Sequence, residues 1–181
     1  SSDLLVDGSG LTGGQHGGTP DGLMWLSAGS GFGGVDPDPS VTFDLGAVYT
    51  ITSIHVWNYN EATGGNLTER GVKSVAIQYG PTPALGSTLP GITQFAKAPE
   101  PVTNAYAGEE FSGFAPFTAR YIKFDIASGI NVGNWGDGNT FYGLSEVQFE
   151  GALSGIELSP ERFVTSGAQG ARVGALSTQS A

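Results

Sequence analysis

The chain has 181 residues, including 30 glycines and ten prolines, which indicates many turns and excludes an architecture of long helices. Acidic residues outnumber basic ones by 17 to 7, and the net charge of −10 disfavours nucleic acid and anionic lipid as partners, since both need clustered Lys and Arg. The chain has no cysteine, which excludes disulfides, zinc–thiolate sites and a thiol nucleophile.

The first two predicted strands follow a glycine-rich N-terminal segment. Residues 1–40 are predicted to form a short strand and loops, with an apolar group at residues 23–26. From residue 41 to residue 45, apolar and polar side chains alternate, which is the two-residue period of a half-buried strand. Gly46 is predicted to end this strand, and the alternation returns in a second strand at residues 54–57.

Three further strands are predicted because apolar residues alternate again at residues 75–79, 121–126 and 146–149. In the last of them, the alternation places Glu146 and Gln148 on the solvent side. Residues 81–118 are rich in proline and are interpreted as loops around one short strand at residues 91–98. No segment has a helical period, so the sequence predicts an all-β fold, an antiparallel β-sandwich.

The composition changes after Gly151. Residues 153–181 contain one predicted strand at residues 156–158, followed by small and polar residues with too little apolar material for a separate core. We therefore predict one domain at residues 1–152. Residues 153–181 are interpreted as a linker or the truncated start of a following β-domain.

Three short motifs occur in order along the chain: Asp21-Gly22 before Trp25, Asp44-Leu45-Gly46 on an early strand, and Gly143 to Val147 on the last strand. Together with their surroundings, roughly residues 3–151, they resemble the discoidin or coagulation-factor C-type domain. This resemblance implies a galactose-binding-like jelly roll for residues 1–152, a fold shared by many bacterial carbohydrate-binding modules. The spacing from Asp-Gly to Trp is shorter here than in the family, and the Thr that the family commonly has between them is absent.

The tail carries a second resemblance. Residues 153–181 are similar to the opening of a cadherin-like or immunoglobulin-like repeat. This similarity implies that the chain is part of a larger multidomain protein, secreted or at a cell surface.

The resemblance also implies a structural Ca²⁺, which prefers carboxylate and carbonyl oxygens. Mapped onto this sequence, the family's site would use Asp21 and Glu146, with backbone carbonyls near Thr19 and Ser27. The alternative is that Asp21 caps a turn with Gly22 and that Glu146 simply faces solvent.

A sugar site is predicted on loops at one end of the sandwich, where the family places its ligands. Sugar recognition combines an aromatic platform with amides, carboxylates and guanidinium groups that bond hydroxyls. The predicted carbohydrate-binding residues are Tyr59, Asn60, Glu61 and Arg70 on one loop, Asn134, Trp135 and Asp137 on a second, and His16 from the N-terminal loops.

Some residues of these loops have structural alternatives. Trp57 is predicted to pack against the sandwich rather than against sugar. Asn58 is a candidate for bonding backbone groups at the strand end. Arg70 could brace its loop by pairing with Glu61 or Glu69, in which case it would hold the loop instead of a ligand.

Catalysis is not predicted. The only histidines are His16 and His55, and no Gly-x-Ser-x-Gly turn accompanies them. A glycosidase would need two carboxylates across a cleft, and the sequence does not place any two of them so.

The function predicted from these features is a non-catalytic extracellular module that binds a polysaccharide or glycan. The alternative is a structural or adhesion domain of a surface protein that binds protein partners. A third hypothesis, calcium-dependent binding of phospholipid membranes, is disfavoured by the charge of −10.

Overall fold

The computed structural model describes residues 2–18, 23–29, 36–62, 65 and 67–154, together with the backbone of two strands at 161–163 and 174–177. In this part of the chain the helical elements are two short 3-10 turns, Ser2–Leu5 and Thr68–Arg70. The strands are β1 (Leu11–Thr12), β2 (Gln15–His16), β3 (Trp25–Leu26), β4 (Ser40–Asn58), β5 (Val75–Gly80), β6 (Ser87–Thr88), β7 (Glu109–Phe111), β8 (Phe117–Ile126), β9 (Gly143–Leu153), β10 (Glu161–Phe163) and β11 (Gly174–Ser177).

All strand pairs are antiparallel, and the order along the main ladder is β10-β9-β4-β8-β5-β6. The long strand β4 pairs with β8 at residues 40–44 and 49–51 and with β9 at residues 49–51 and 53–58, so it is shared by a β4–β8 ladder and a β4–β9 ladder. Strand β7 and the backbone of β11 also pair with β4, and β3 pairs with β9. The all-β prediction and the antiparallel β-sandwich are confirmed.

Gly46 interrupts the β4–β8 ladder without ending the strand. The pairing register shifts between Asp44 and Tyr49, and Gly46 has φ +79°. Glycine suits this left-handed conformation, and its N–H donates to Asp44 Oδ1 over 2.9 Å. The predicted strand end is therefore a bulge inside a 19-residue strand.

Aromatic side chains of β4, β8 and β9 pack against one another in the core. Phe43 on β4 lies 5.2 Å from Phe124 on β8 and 5.1 Å from Phe149 on β9, in edge-to-face geometry between ring centroids. All three are buried, as the alternation predicts.

The alternation rule fails in two places. The segment 91–98 is not a strand: it pairs only through an isolated bridge between Gln94 and Ser74, although it buries Ile92 and Phe95. Glu146 and Gln148 do not face solvent, because they are 1% and 7% exposed. The N-terminal segment of the same chain covers that face of β9, where the Gly8 N–H donates to Glu146 Oε1.

The C-terminal residues are described only as two strands. β10 pairs with residues 149–151 of β9, and β11 pairs with residues 41–44 of β4. The predicted strand at 156–158 lies outside the described residues, and the boundary near residue 152 stays a prediction. The described part of the chain contains no helix of the length and apolarity that crossing a membrane requires.

Candidate functional site

Two loops meet at one end of the sandwich because of the strand pairing. One loop follows β4 (residues 59–74) and the other precedes β9 (residues 127–142). Three backbone hydrogen bonds join them: Lys73 N–H donates to the Gly133 carbonyl (2.7 Å), Trp135 N–H to the Glu69 carbonyl (2.9 Å) and Ala127 N–H to the Ser74 carbonyl (3.0 Å). The two sets of predicted loop residues therefore share one rim.

Arg70 lies at the centre of this rim. Its Nη1 is 3.6 Å from Glu61 Oε2, and its Nε is 3.7 Å from Asp137 Oδ1. The guanidinium carbon lies 4.8 Å from the centroid of the Phe141 ring. We call Tyr59, Glu61, Arg70, Asp137 and Phe141 the Arg70 cluster. Both ion-pair distances exceed a hydrogen bond, and the buried Arg70 Nε has no hydrogen-bond partner among the described residues.

Tyr59 forms the inner wall of the cluster. Its hydroxyl donates to Glu61 Oε2, and burial together with the Glu61 carboxylate raises the pKa of Tyr59 above its usual value. The phenol therefore stays protonated and remains a donor. Its ring packs on Gly143, where an added Cβ would lie 2.5 Å from Tyr59 Cδ2, so that close approach requires glycine.

Asn134 organises the second loop from inside. Its Oδ1 accepts from the N–H groups of Asn131 and Gly136, both at 3.1 Å, and its Nδ2 donates to the carbonyls of Asp137 and Phe141, both at 3.1 Å. The side chain is fully buried and its amide is fully satisfied. This network positions Asp137 and Phe141 for the Arg70 cluster.

Asn60 and His16 lie behind the rim, and both are fully buried. Asn60 Nδ2 donates to the His16 carbonyl over 3.2 Å, and its Oδ1 accepts from Ser145 Oγ over 2.8 Å. His16 Nδ1 is 2.8 Å from the Gly17 carbonyl, and burial lowers the pKa of His16, so its ring is neutral. Their predicted contact with sugar stays a prediction; in the structure both support the loops.

Trp135, the predicted platform, is half-buried and already has a partner on one side. The ammonium of Lys73 lies 5.0 Å from the centroid of its ring, and Lys73 Nζ donates to the Asn131 carbonyl over 2.9 Å. Trp135 Nε1 is shielded from solvent and has no hydrogen-bond partner among the described residues.

The predictions for Trp57 and Asn58 are confirmed. Trp57 is 2% exposed and stacks on His55 at 3.8 Å between ring centroids. Asn58 Nδ2 donates to the carbonyls of Val72 and Ala96, both at 2.7 Å, and Oδ1 accepts the Tyr59 N–H at 2.9 Å. These bonds fix the direction in which the chain leaves β4.

Of the two carboxylates of the predicted calcium site, the structure describes Glu146, whereas Asp21 lies outside the described residues. Its Oε1 accepts the Gly8 N–H at 3.2 Å, and its buried Oε2 has no described partner. Burial raises the pKa of Glu146 to about 8, with the negative charge of Asp7 adding to the effect. Within the described ranges no three His, Asp or Glu side chains form a metal-binding group.

Sequence reasoning missed Phe141 and Lys73. Phe141 is an aromatic residue two positions before β9, yet nothing in the sequence indicated that it would lie beneath Arg70. Lys73 begins the return toward β5, and only the folded loops show that it lies over Trp135.

Comparison with solved structures shows which known fold the chain has. No protein-family model matches the chain, and no curated protein matches it. The C-terminal domain of a chitobiase from Bacteroides fragilis superposes with a TM-score of 0.50 at 22% identity, over 82% of this chain and 89% of that one. A putative chitobiase fragment from Bacteroides thetaiotaomicron gives 0.50 at 18% identity, over 75% and 72%.

A fucolectin, or F-lectin, from the serum of the striped bass Morone saxatilis also gives a TM-score of 0.50. Its identity is 18%, over 75% of this chain and 39% of the lectin. At these identities the likeness establishes the fold. The chain has the β-sandwich jelly-roll fold of these structures, which is the fold that the discoidin resemblance implies.

Proposed function

We propose that this chain is a non-catalytic carbohydrate-binding module that holds a sugar at the Arg70 cluster. The observation that carries the proposal is the geometry of Arg70: a guanidinium over an aromatic ring, between two carboxylates, at the loop end of the sandwich. A guanidinium supplies donors and a carboxylate supplies acceptors, so together they complement hydroxyl groups, which do both.

The ion pairs of this cluster leave hydrogen-bonding capacity for a ligand. At 3.6 and 3.7 Å, Arg70 does not fully satisfy Glu61 and Asp137, and its own Nε is buried without a described partner. A buried unpaired polar atom is costly, and a bound molecule is one way to satisfy it. The names of three solved structures with this fold, a fucolectin and two chitobiases, also refer to sugars.

A binding role is favoured over catalysis by the state of the two histidines. His16 is buried with its Nδ1 bonded, and His55 is stacked on Trp57 with Nε2 2.7 Å from the Ala107 carbonyl. Neither ring faces a serine hydroxyl as a general base in a described hydrogen bond.

A structural Ca²⁺ beside Glu146 is part of the proposal. Glu146 Oε2 is a hard oxygen donor that has neither a partner nor a counter-charge among the described residues, and the nearby Asp7 carboxylate adds to the negative potential there. Asp21 and backbone carbonyls remain the candidates for completing the shell. A cation there would neutralise Glu146 and fasten the N-terminal loops to β9.

The setting we propose is extracellular, within a larger chain of several domains. A rim of this kind binds sugar weakly, because hydroxyls exchange bonds with water for bonds with protein. Repetition of modules in one chain would raise the overall affinity through multivalency.

The proposal is tested by a glycan array followed by calorimetry on the hits. Arg70→Met is expected to abolish binding, while Arg120→Met, which removes an arginine paired with Asp44 on the sheet surface, should leave affinity unchanged. Thermal melts establish that both variants fold. Absence of binding to any glycan, combined with self-association or capture of a protein partner, would refute the proposal and favour adhesion.

A further inference from the structure

Lys73 differs from the other cations of the molecule. Among the lysines and arginines whose side chains the structure describes, four form ion pairs with carboxylates: Arg70, Lys97, Arg120 and Lys123. Lys73 forms none within the same part of the chain. In a chain with a net charge of −10, a lysine at the rim without a described acidic partner calls for an explanation.

The ammonium of Lys73 is held in place, although it is not neutralised. It donates one hydrogen bond to the Asn131 carbonyl at 2.9 Å and lies 5.0 Å from the centre of the Trp135 ring. The backbone of Lys73 is fixed as well, through its N–H bond to Gly133 at 2.7 Å. An ammonium has three hydrogens, so two remain beyond the bond to Asn131. The cation is therefore pre-organised, with donor capacity to spare.

The surroundings of Lys73 strengthen its attraction for an anion. Ile130 and Val132, on either side of Asn131, are 45% and 50% exposed and are the exposed large hydrophobic residues of the described chain. The Trp135 ring lies against the ammonium, and Ile130 and Val132 adjoin the residue whose carbonyl accepts from it. A charge near a low-dielectric surface attracts an opposite charge more strongly than it would in open water.

The Lys73 position is continuous with the Arg70 cluster. The ring of Trp135 lies beneath the Lys73 ammonium. The backbone N–H of Trp135 donates to the carbonyl of Glu69, the residue before Arg70. The two positions differ in charge, since Arg70 is offset by Glu61 and Asp137, whereas Lys73 has no described carboxylate partner. A ligand that crosses this rim would meet groups of both charges at the Arg70 cluster and then a positive charge alone.

We propose that Lys73 and Trp135 form a second subsite that binds an anionic group, carboxylate or sulfate, on a saccharide held at the Arg70 cluster. This inference depends on the proposed function. The overall negative charge does not prevent it, because charges beyond roughly 8 Å are largely screened at physiological ionic strength. An acidic membrane surface fits less well, since membrane recognition needs several basic residues together.

The test uses matched pairs of oligosaccharides that differ only in charge. In one pair, the anionic member carries a free carboxylate and the neutral member its methyl ester. In the other pair, the anionic member carries a sulfate and the neutral member a free hydroxyl. The whole chain is expected to bind the anionic member of at least one pair roughly threefold to tenfold more tightly, the range for one charge-assisted hydrogen bond at a partly exposed site. The pair that shows the preference identifies carboxylate or sulfate.

Three variants separate a ligand contact from a structural role. Lys73→Gln should remove the preference and leave binding of the neutral member within about twofold, whereas Lys73→Arg should keep it. Lys123→Gln, which makes the same change of charge at a lysine paired with Asp125, should behave as the unchanged protein does. If Lys73 has a structural role instead, Lys73→Gln should weaken the binding of both members of a pair alike.

Several results would overturn the inference. Equal affinity for both members of each pair, a preference that survives Lys73→Gln, or parallel loss of neutral and anionic binding would each refute it while leaving the carbohydrate module intact. Binding to phosphatidylserine vesicles with no saccharide preference would assign Lys73 to membranes instead. Failure of every saccharide would refute the proposed function itself.

Discussion

The Arg70 cluster and the surroundings of Glu146 handle buried charge in opposite ways. In the cluster, two carboxylates face one guanidinium, and the side chains of Arg70 and Glu61 are 21% and 12% exposed. Glu146 is 1% exposed, has only the Gly8 N–H at one oxygen, and faces the additional negative charge of Asp7. One region contains its own counter-charge, and the other has none among the described residues.

This difference predicts what each region requires from outside. A carboxylate removed from water costs several kcal/mol unless a cation or proton neutralises it. The cluster holds a cation between its carboxylates, so it can offer polar atoms to an uncharged ligand without reorganising. Glu146 must instead acquire a proton, which its pKa of about 8 reflects, or a metal ion.

The largest expected effect is that of calcium on the unfolding temperature. If Ca²⁺ binds the native state beside Glu146, a concentration of about 100 times the dissociation constant adds about 2.7 kcal/mol. For a chain of this size that corresponds to a rise of roughly 5–10 °C. Differential scanning calorimetry in Ca²⁺ and in chelator measures the difference, with Mg²⁺ as the control ion. Equal temperatures in both solutions would show that no calcium is bound.

The second effect is the response of Glu146→Gln in chelator at pH 7. A buried amide carries no charge to desolvate and needs no proton, so we expect a gain of about 1 kcal/mol, or roughly 2–4 °C. The same variant should lose the calcium response. Gln148→Glu is the opposite control, because it places a carboxylate at a second buried position of β9 and should destabilise the protein. A less stable Glu146→Gln in chelator would mean that the native carboxylate has a partner.

The third effect is the loss of the counter-charge in the Arg70 cluster. Arg70→Met leaves Glu61 and Asp137 near each other without a cation, and we expect a loss of about 1–2 kcal/mol in urea unfolding. Adding Glu61→Gln to this variant should restore part of the loss, because one of the two negative charges is removed. If the double variant is no more stable than Arg70→Met alone, repulsion between the carboxylates is not the cause.

Much of the sandwich could be predicted from alternation, since Phe43, Phe124 and Phe149 are inward-facing positions of strands with a two-residue period. The rule failed for Glu146 because it assumes that one face of each strand meets solvent. β9 pairs with β4, β3 and the backbone of β10, and the chain at Gly8 covers its second face. Such covering comes from residues far away in sequence.

The candidate site was predictable in its location and only partly in its contacts. Antiparallel strands that end together indicate which loops share a rim, and Glu61 was one of two candidate partners for Arg70. Asp137 and Phe141 could not be paired with Arg70 in advance, because Asn134 sets their positions through four hydrogen bonds inside its loop. Side-chain amides of this kind are visible in a sequence, but their partners are not.

The smallest expected effect is at an ion pair on the sheet surface, which completes the comparison. Arg120 Nε and Nη2 donate to the two oxygens of Asp44 at 2.7 and 2.9 Å, and Arg120 holds the pKa of Asp44 below its usual value. Because water screens this pair, Asp44→Asn should lower the unfolding temperature by less than about 4 °C at pH 7. A lowered pKa stabilises the fold above the unfolded value of 3.8 and loses that contribution as the pH falls, so the two proteins should converge in acid. If the difference in unfolding temperature persists at pH 2, or is as large as the calcium effect, then solvent exposure does not determine how much each of the three charged regions contributes to stability.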